Sequence, residues 1–392
     1  MIDKVTGTRI LLFEWNAFMQ RDLETELKKF PIEVDCLSYE FKDWDKDDFF
    51  YERFIEKIRD KGYTCVLSLN FFPVVADVCK ELGVTYISWV YDSPMHIRRT
   101  ESLRYDTNHI FVFDRGQMED LRKKGFSQVY HMPLAVNANR LEQEDLSDLD
   151  GIYTSEIGFV GKMYESDFEY LLGPLPEQYQ EVLKKIVDIQ RKTDDAFVLE
   201  EMLSEDLMTS LNKIYSAAAG DDSYRVKKEE MLYALSTYVT RMDRIEILNS
   251  LSEKYQLRVY TYDNTDMLPH AEFGGPVKYY SQMPKVFANS KINLNIALKI
   301  IKTGIPLRVL DVLGAGGFLI TSYKEELAEA FEDGKEIVIY RSIHELEDKV
   351  KYYLSHDDIR MQIAMKGHEK VKKEFNFYGQ LNKIFQLSGV LN

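Results

Sequence analysis

The stretch from Asn293 to Thr321, NLNIALKIIKTGIPLRVLDVLGAGGFLIT, has the residue types and spacing to hold an anion. An apolar run ending near Ala297 reads as a strand, and two lysines, Lys299 and Lys302, follow it. Thr303-Gly304-Ile305-Pro306 then leads into a short helix expected to run to about Leu313, where a glycine cluster releases the chain into the next strand. Thr303 can cap this helix, and Pro306 suits its first turn. A helix N-terminus offers unpaired N–H groups and partial positive charge, and Gly304 would let an anion approach the backbone closely. With Arg308 in the first turn and Lys299 upstream, this is a candidate diphosphate cradle. Asp311, about one turn on, could accept two hydrogen bonds from vicinal hydroxyls such as those of a ribose. The same residues also read as a capped helix in a loop with solvated lysines.

Other candidates end strands. Lys162 follows EIGFVG and could neutralise a phosphate, or be a surface lysine. Asp92 in Tyr91-Asp92-Ser93-Pro94, with His96 nearby, could hold an acceptor hydroxyl or serve as a base, although Asp-Ser-Pro is also good turn chemistry. Trp15, Asn16 and Asn70 end further strands and suit carbohydrate or packing equally. Asp43-Trp44-Asp45 spells a D-x-D, but it precedes an amphipathic helix in an acid-rich stretch and reads as a solvated turn and helix cap. Asp263 and Asp266 lack convincing metal-ligand spacing. No metal and no cofactor are expected.

The elements that must position these residues alternate. Strands are expected at 9–15, 64–70, 85–91, 109–114 and 128–135, with helices at about 48–61, 74–82 and 116–124. The strands are nearly continuous apolar runs, the pattern of a parallel sheet covered on both faces. The acidic stretch 137–155 reads as a linker. After a strand at 156–161 comes a long helical tract whose part between Leu172 and Lys228 looks like an insertion. The rhythm resumes with strands at 257–263, 277–282, 292–297, 316–321 and 336–340. The reading is α/β: two parallel-sheet domains, residues 1–150 and 151–374, each binding at the carboxyl ends of its strands.

Composition narrows the function. Lys+Arg is 50 against Asp+Glu 65, a formal charge of -15, and there is no basic stripe with interleaved aromatics, so no nucleic-acid partner is expected. Cys36, Cys65 and Cys79 form no C-x-x-C pair and read as core residues. No signal pattern opens the chain and no apolar run approaches the roughly 20 residues of a membrane helix. A cytoplasmic location is therefore expected.

With these stretches in order, the second half resembles the group 1 family of GT-B glycosyltransferases, and within it the bacterial branch of spore-maturation CgeB-type proteins. The likeness rests on EIGFVGKMY, VKYYSQMPKVFANSKINLNIALK, TGIPLRVLDVLGAGGFLITSYKEEL and FEDGKEIVIYRSIHELEDKVKYYLSHDDIR, and it covers about residues 156–375 outside the insertion. FVFDRGQMEDLRKKGFSQVYHMPLAVN is similar to N-terminal domains of the same branch. The resemblance implies two Rossmann-like domains facing across a cleft, an acceptor-side N-terminal domain and a donor-binding C-terminal one, with the helix at 375–392 packing back onto the first. It implies transfer of a sugar from a nucleotide-sugar donor, with a UDP-sugar and retention of configuration favoured, to a protein or saccharide acceptor without a metal. Asp311 stands where the second Glu of the family's E-x7-E motif holds the ribose, and the first Glu falls at Thr303, which is not acidic. The run Gly304-Ile305-Pro306-Leu307-Arg308 is typical of the branch. Lys162 matches a basic residue on the diphosphate, and the base and ribose would lie near Tyr262 and Met283. Lys162, Lys299 and Arg308 would stabilise the leaving diphosphate, and Asp92 would act on the acceptor side. The other readings are a non-catalytic nucleotide-sugar-binding partner of another transferase, or a nucleotide-sugar epimerase of the same fold.

Overall fold

The computed structural model describes residues 7–15, 17–95, 97–193 and 196–391. It divides into two compact units. The first takes the chain up to Glu142 together with Thr303–Leu310 and the segment from Lys370 onward, and the second takes Gln143–Lys302 and Asp311–Glu369. The division therefore runs through two helices of the C-terminal half as well as near residue 142.

The first unit is built on a sheet of β1 (Arg9–Glu14), β2 (Glu33–Ser38), β3 (Cys65–Leu69), β4 (Thr85–Val90), β5 (Asn108–Val112) and β6 (Val129–His131). Their order is β2-β1-β3-β4-β5-β6, and every pair is parallel. Ile10, Leu11, Leu12 and Phe13 are all fully buried because helices cover both faces of the central strands. Leu11 and Phe13 join Val66, Tyr86 and Val112 in one core with Phe50, Phe54 and Ile58 of the helix Asp48–Lys61. β2 and the helix Gln20–Leu27 escape the apolar-run reading, since β2 is a half-exposed edge strand with acids at Glu33 and Asp35. The last helix, Phe377–Leu387, packs in this unit: Phe30 stacks on Tyr378 at 4.5 Å and Trp89 meets Phe377 edge-on at 5.9 Å.

The second sheet contains β7 (Ser155–Val160), β8 (Leu257–Tyr260), β9 (Glu272–Phe273), β10 (Ser290–Asn295), β11 (Leu319–Ser322) and β12 (Val338–Tyr340). All pairs are again parallel, in the order β12-β11-β10-β7-β8-β9, which is the dinucleotide-fold order with its reversal between β7 and β10. Ile157, Phe159, Val259, Leu294 and Ile320 form its core. The stretch 277–282 is not the expected strand. Lys278 spends its backbone groups locally, its N–H donating to Gln282 Oε1 and its carbonyl accepting from Gln282 N and Met283 N, and the chain turns at 279–282 into the helix Met283–Asn289.

Among the described residues, no strand lies between Val160 and Leu257. Helices Phe168–Leu172, Glu177–Arg191, Leu199–Met202, Glu205–Ala219 and Lys228–Ser252 fill that tract. Leu183, Leu211, Tyr215, Leu235 and Val239 give it an apolar core of its own, which Ile300 from the loop after β10 enters.

Candidate functional site

In an open parallel sheet, ligands bind beyond the carboxyl ends of the strands where the strand order reverses. In the second unit that place lies between Lys162, which follows β7, and Ile296-Ala297, which follow β10. The Lys162 side chain is exposed there. The loop after β7 is pinned by Asp263, whose carboxylate accepts from Met163 N. Asp263 thus has a structural hydrogen bond, and Asp266 bonds Asn264 at 2.9 Å. Tyr262, beyond β8, is 80% exposed, whereas Met283 is buried at the start of its helix.

The helix expected after Pro306 spans Leu307–Gly314, and Gly316 at φ +75° turns the chain out of it. Arg308 and Asp311 are three residues apart on this helix and so share a face. Asp311 is buried, and Tyr279 donates its hydroxyl to Asp311 Oδ1 at 2.8 Å. The sequence pattern hides Tyr279 because VKYYSQ, with its valine and two tyrosines, reads as a strand. A carboxylate can accept about four hydrogen bonds, so one from Tyr279 orients the group while leaving acceptor capacity.

Thr303 does not cap that helix, which begins four residues later. Its N–H and its hydroxyl both donate to Asp114 Oδ1 at 3.0 Å. Gly116 N reaches both Asp114 Oδ1 (3.1 Å) and Thr303 Oγ1 (3.0 Å), and Ser93 Oγ reaches Asp114 Oδ2 at 3.2 Å. Asp114 is fully buried at the end of β5 and caps the helix Arg115–Lys123. The face of Gly304 that lacks a Cβ is occupied rather than open: an added methyl would lie 2.8 Å from Asp114 Cα and 2.9 Å from Phe113 Cδ2. Ile305 and Pro306 are buried beside it. The glycine is thus required by packing against β5. The signal for Asp114 was its place just before a helix, the position of a capping residue.

Lys299 turns toward the helical tract. Its N–H donates to Thr240 Oγ1 at 3.0 Å, and its ammonium lies 3.9 Å from Asp243. There it helps line a cavity of about 390 Å³ with Arg191, Asp243, Glu246, Tyr323 and Lys324. Lys302 pairs with Glu200.

In the first unit, strand ends gather the acceptor-side candidates. Trp15 Nε1 donates to Leu69 O at 2.6 Å, bridging β1 and β3, which flank that sheet's own reversal. Asn70, at φ +65°, donates to Asp92 Oδ2 at 2.6 Å and accepts from Tyr91 N at 2.8 Å. Asn tolerates the left-handed region better than most residues, so Asn70 both turns the chain and orients Asp92. Asn16 and His96 lie outside the described residues.

Arg98 occupies the D-x-D acids. It donates to Asp43 at 2.5 Å and to Asp45 at 2.9 Å, and its bond holds the Asp43 carboxyl below the usual range. The helix cap is Asp47, two residues beyond, which accepts from Phe50 N at 3.0 Å. Glu14, Glu24 and Cys36 bring ligand atoms within 4.8 Å of one another. Cys36 is not the core residue its sequence suggests: unlike the buried Cys65 and Cys79 it is exposed, because it lies on the edge strand β2. Partial burial and then the neighbouring Glu14 push its thiol up to about 12, against its acting as a thiolate at neutral pH.

Residues 241–386 match the model of a family described as glycosyl transferase-like. Solved structures share the fold along almost the whole chain. Sucrose-phosphate synthase from Thermosynechococcus elongatus is similar with a TM-score of 0.54 and 10% identity, over 97% of this chain and 98% of that one. A glycosyltransferase from Rickettsia africae has the same score and identity, with 99% of each chain covered. HepE from Anabaena, in complex with UDP-glucose, also scores 0.54, at 9% identity over 98% of this chain and 100% of that one. None of the curated proteins matches the chain in sequence. The architecture is that of the GT-B fold, two Rossmann-like domains, and the glycosyl transferase-like match covers the C-terminal part of the chain. Among the described residues, no helix is long and apolar enough to cross a membrane.

Proposed function

We propose that this chain is a group 1, CgeB-like glycosyltransferase that moves a hexose from a UDP-sugar to a protein or saccharide acceptor, retaining configuration and using no metal. The match of residues 241–386 to the glycosyl transferase-like family carries the reading. The UDP-glucose in the HepE structure supports the donor class. In the second unit, Lys162 takes phosphate charge, Asp311 takes the ribose hydroxyls with Tyr279 orienting it, and Tyr262 and Met283 meet the nucleoside. Arg308, one turn before Asp311 on the same helix, serves the departing diphosphate. Asp92 acts on the acceptor.

A thermal-shift panel of UDP-, GDP-, TDP- and CDP-sugars tests this. A ligand that binds only the folded state stabilises it by about 2.7 kcal/mol at 100 times its Kd. A UDP-sugar should raise the melting temperature most, and slow release of UDP without acceptor should follow. Tight binding with no turnover against any acceptor would instead favour the non-catalytic partner, the reading that the non-acidic Thr303 supports.

Two substitutions separate the roles. Asp311→Asn should weaken UDP binding about tenfold or more while leaving the urea midpoint nearly unchanged, because the amide still accepts from Tyr279. Unchanged affinity by calorimetry removes Asp311 from the site. Asp92→Asn should lower kcat but leave UDP affinity within about twofold, and abolished UDP binding would contradict the division of labour.

A further inference from the structure

The long helix Lys228–Ser252 belongs to the helical tract, yet one of its faces serves the sheet. Thr240, Asp243 and Arg244 are spaced i, i+3 and i+4, so they point the same way. Arg244 is buried, at 6% exposure. Its Nε and Nη2 donate to Ile296 O at 3.2 and 2.5 Å, and its Nη1 donates to Lys162 O. The guanidinium also lies 5.2 Å from the Phe159 ring and 4.8 Å from the Tyr164 ring. The two carbonyls belong to the segments that leave β7 and β10, the neighbouring strands between which the strand order reverses.

The rest of the loop after β10 is held from the same side. Thr240 Oγ1 accepts from Lys299 N, Ile300 packs into the tract's own core, and Lys302 pairs with Glu200. Burying a guanidinium is costly unless its donors are satisfied in good geometry. A planar fork of five donors can serve two carbonyls from separate segments at once, and a lysine's point charge cannot fix both directions.

We propose that Arg244 is a positioning residue of the donor site, and that the helical tract exists in part to supply it. One guanidinium locks the exits of β7 and β10 together, so that Lys162 and the 296–302 loop are preset before a nucleotide-sugar arrives. The proposal rests on the donor reading of this edge of the sheet, and its test has one arm that needs no donor.

The experiment compares the full chain with Arg244→Met, Arg244→Lys and Thr240→Val. The first readout is hydrogen exchange of the free protein. In Arg244→Met, amides in 161–164 and 296–302 should exchange about tenfold faster or more, with β11 and β12 unchanged. Thr240→Val should speed exchange at Lys299 and nearby, and it keeps the test alive if Arg244→Met does not fold. The second readout is UDP affinity by calorimetry at a temperature where each variant is folded. Arg244→Met should bind about tenfold more weakly, and Arg244→Lys should recover less than half of that loss on a logarithmic scale. A purely structural arginine would lower the melting temperature and leave both the local exchange pattern and the affinity of the folded protein unchanged. That result, or faster exchange with unaltered UDP affinity, overturns the proposal. If the wild type binds no UDP, the donor reading fails, and the exchange arm still decides whether Arg244 braces the loop.

Discussion

Replacing Arg308 by alanine should slow sugar transfer about 10²–10³-fold, the usual cost of losing one preorganised contact to developing charge. Departure of the nucleoside diphosphate places negative charge on its oxygens. Arg308 is the second residue of the helix Leu307–Gly314, where backbone N–H groups also face outward, and it shares that helix face with Asp311. A guanidinium can grip phosphate oxygens bidentately and does not lose its charge, so Arg308→Lys should recover only part of the rate. UDP affinity in the ground state should fall much less than kcat, because the charge to be met is largest in the transition state. The same argument makes wild-type activity survive excess EDTA. Fixed cations then do what a metal would otherwise do. Activity lost to EDTA and restored by Mn²⁺ or Mg²⁺ would move that role to an ion. It would direct attention to the Glu14, Glu24 and Cys36 group, since Arg98 already engages Asp43 and Asp45.

Continuous apolar runs announce buried parallel strands, which is why β1, β3, β4, β5, β6, β7, β8, β10, β11 and β12 are legible from residue order alone. β2 is not, because an edge strand needs only one covered face and here alternates with acids. The false strand at 277–282 fails for the opposite reason. Its two strand-favouring tyrosines stand in a turn, and Tyr279 reaches Asp311. The site is legible where a helix start, a strand end or a motif marks it, as at Lys162, Arg308 and Asp311. It is illegible where a residue acts through space from a distant element. Arg244 is one of two arginines in a 25-residue helix with no strong amphipathic pattern, and nothing local tells that it reaches Lys162 and Ile296. Asp114 lies 189 positions from Thr303, so only the fold brings the two together.

That pairing gives the second large effect. Gly304→Ala should lower stability by about 1–3 kcal/mol, the range for forcing extra volume into a packed place, and should impair transfer as well. The added methyl would meet Asp114 Cα at 2.8 Å and Asp114 Cβ at 3.0 Å, closer than carbon atoms approach without something moving. Asp114 cannot yield cheaply, because it is fully buried, caps a helix, and accepts from Thr303, Gly116 and Ser93. The segment 303–306 must therefore lift away, and Thr303 loses its two hydrogen bonds to Asp114. Arg308 is only four residues downstream of the glycine, so its helix start moves with the segment. Thr303→Val separates the two consequences. It removes one hydroxyl without adding bulk and should cost about 1 kcal/mol, the net worth of a typical hydrogen bond, with transfer reduced only modestly. Urea unfolding and kcat, measured on both variants, check this ordering. A Gly304→Ala protein as stable and as active as the wild type would show that the segment is not seated on Asp114, and that the close packing of β5 does not govern where Arg308 is held.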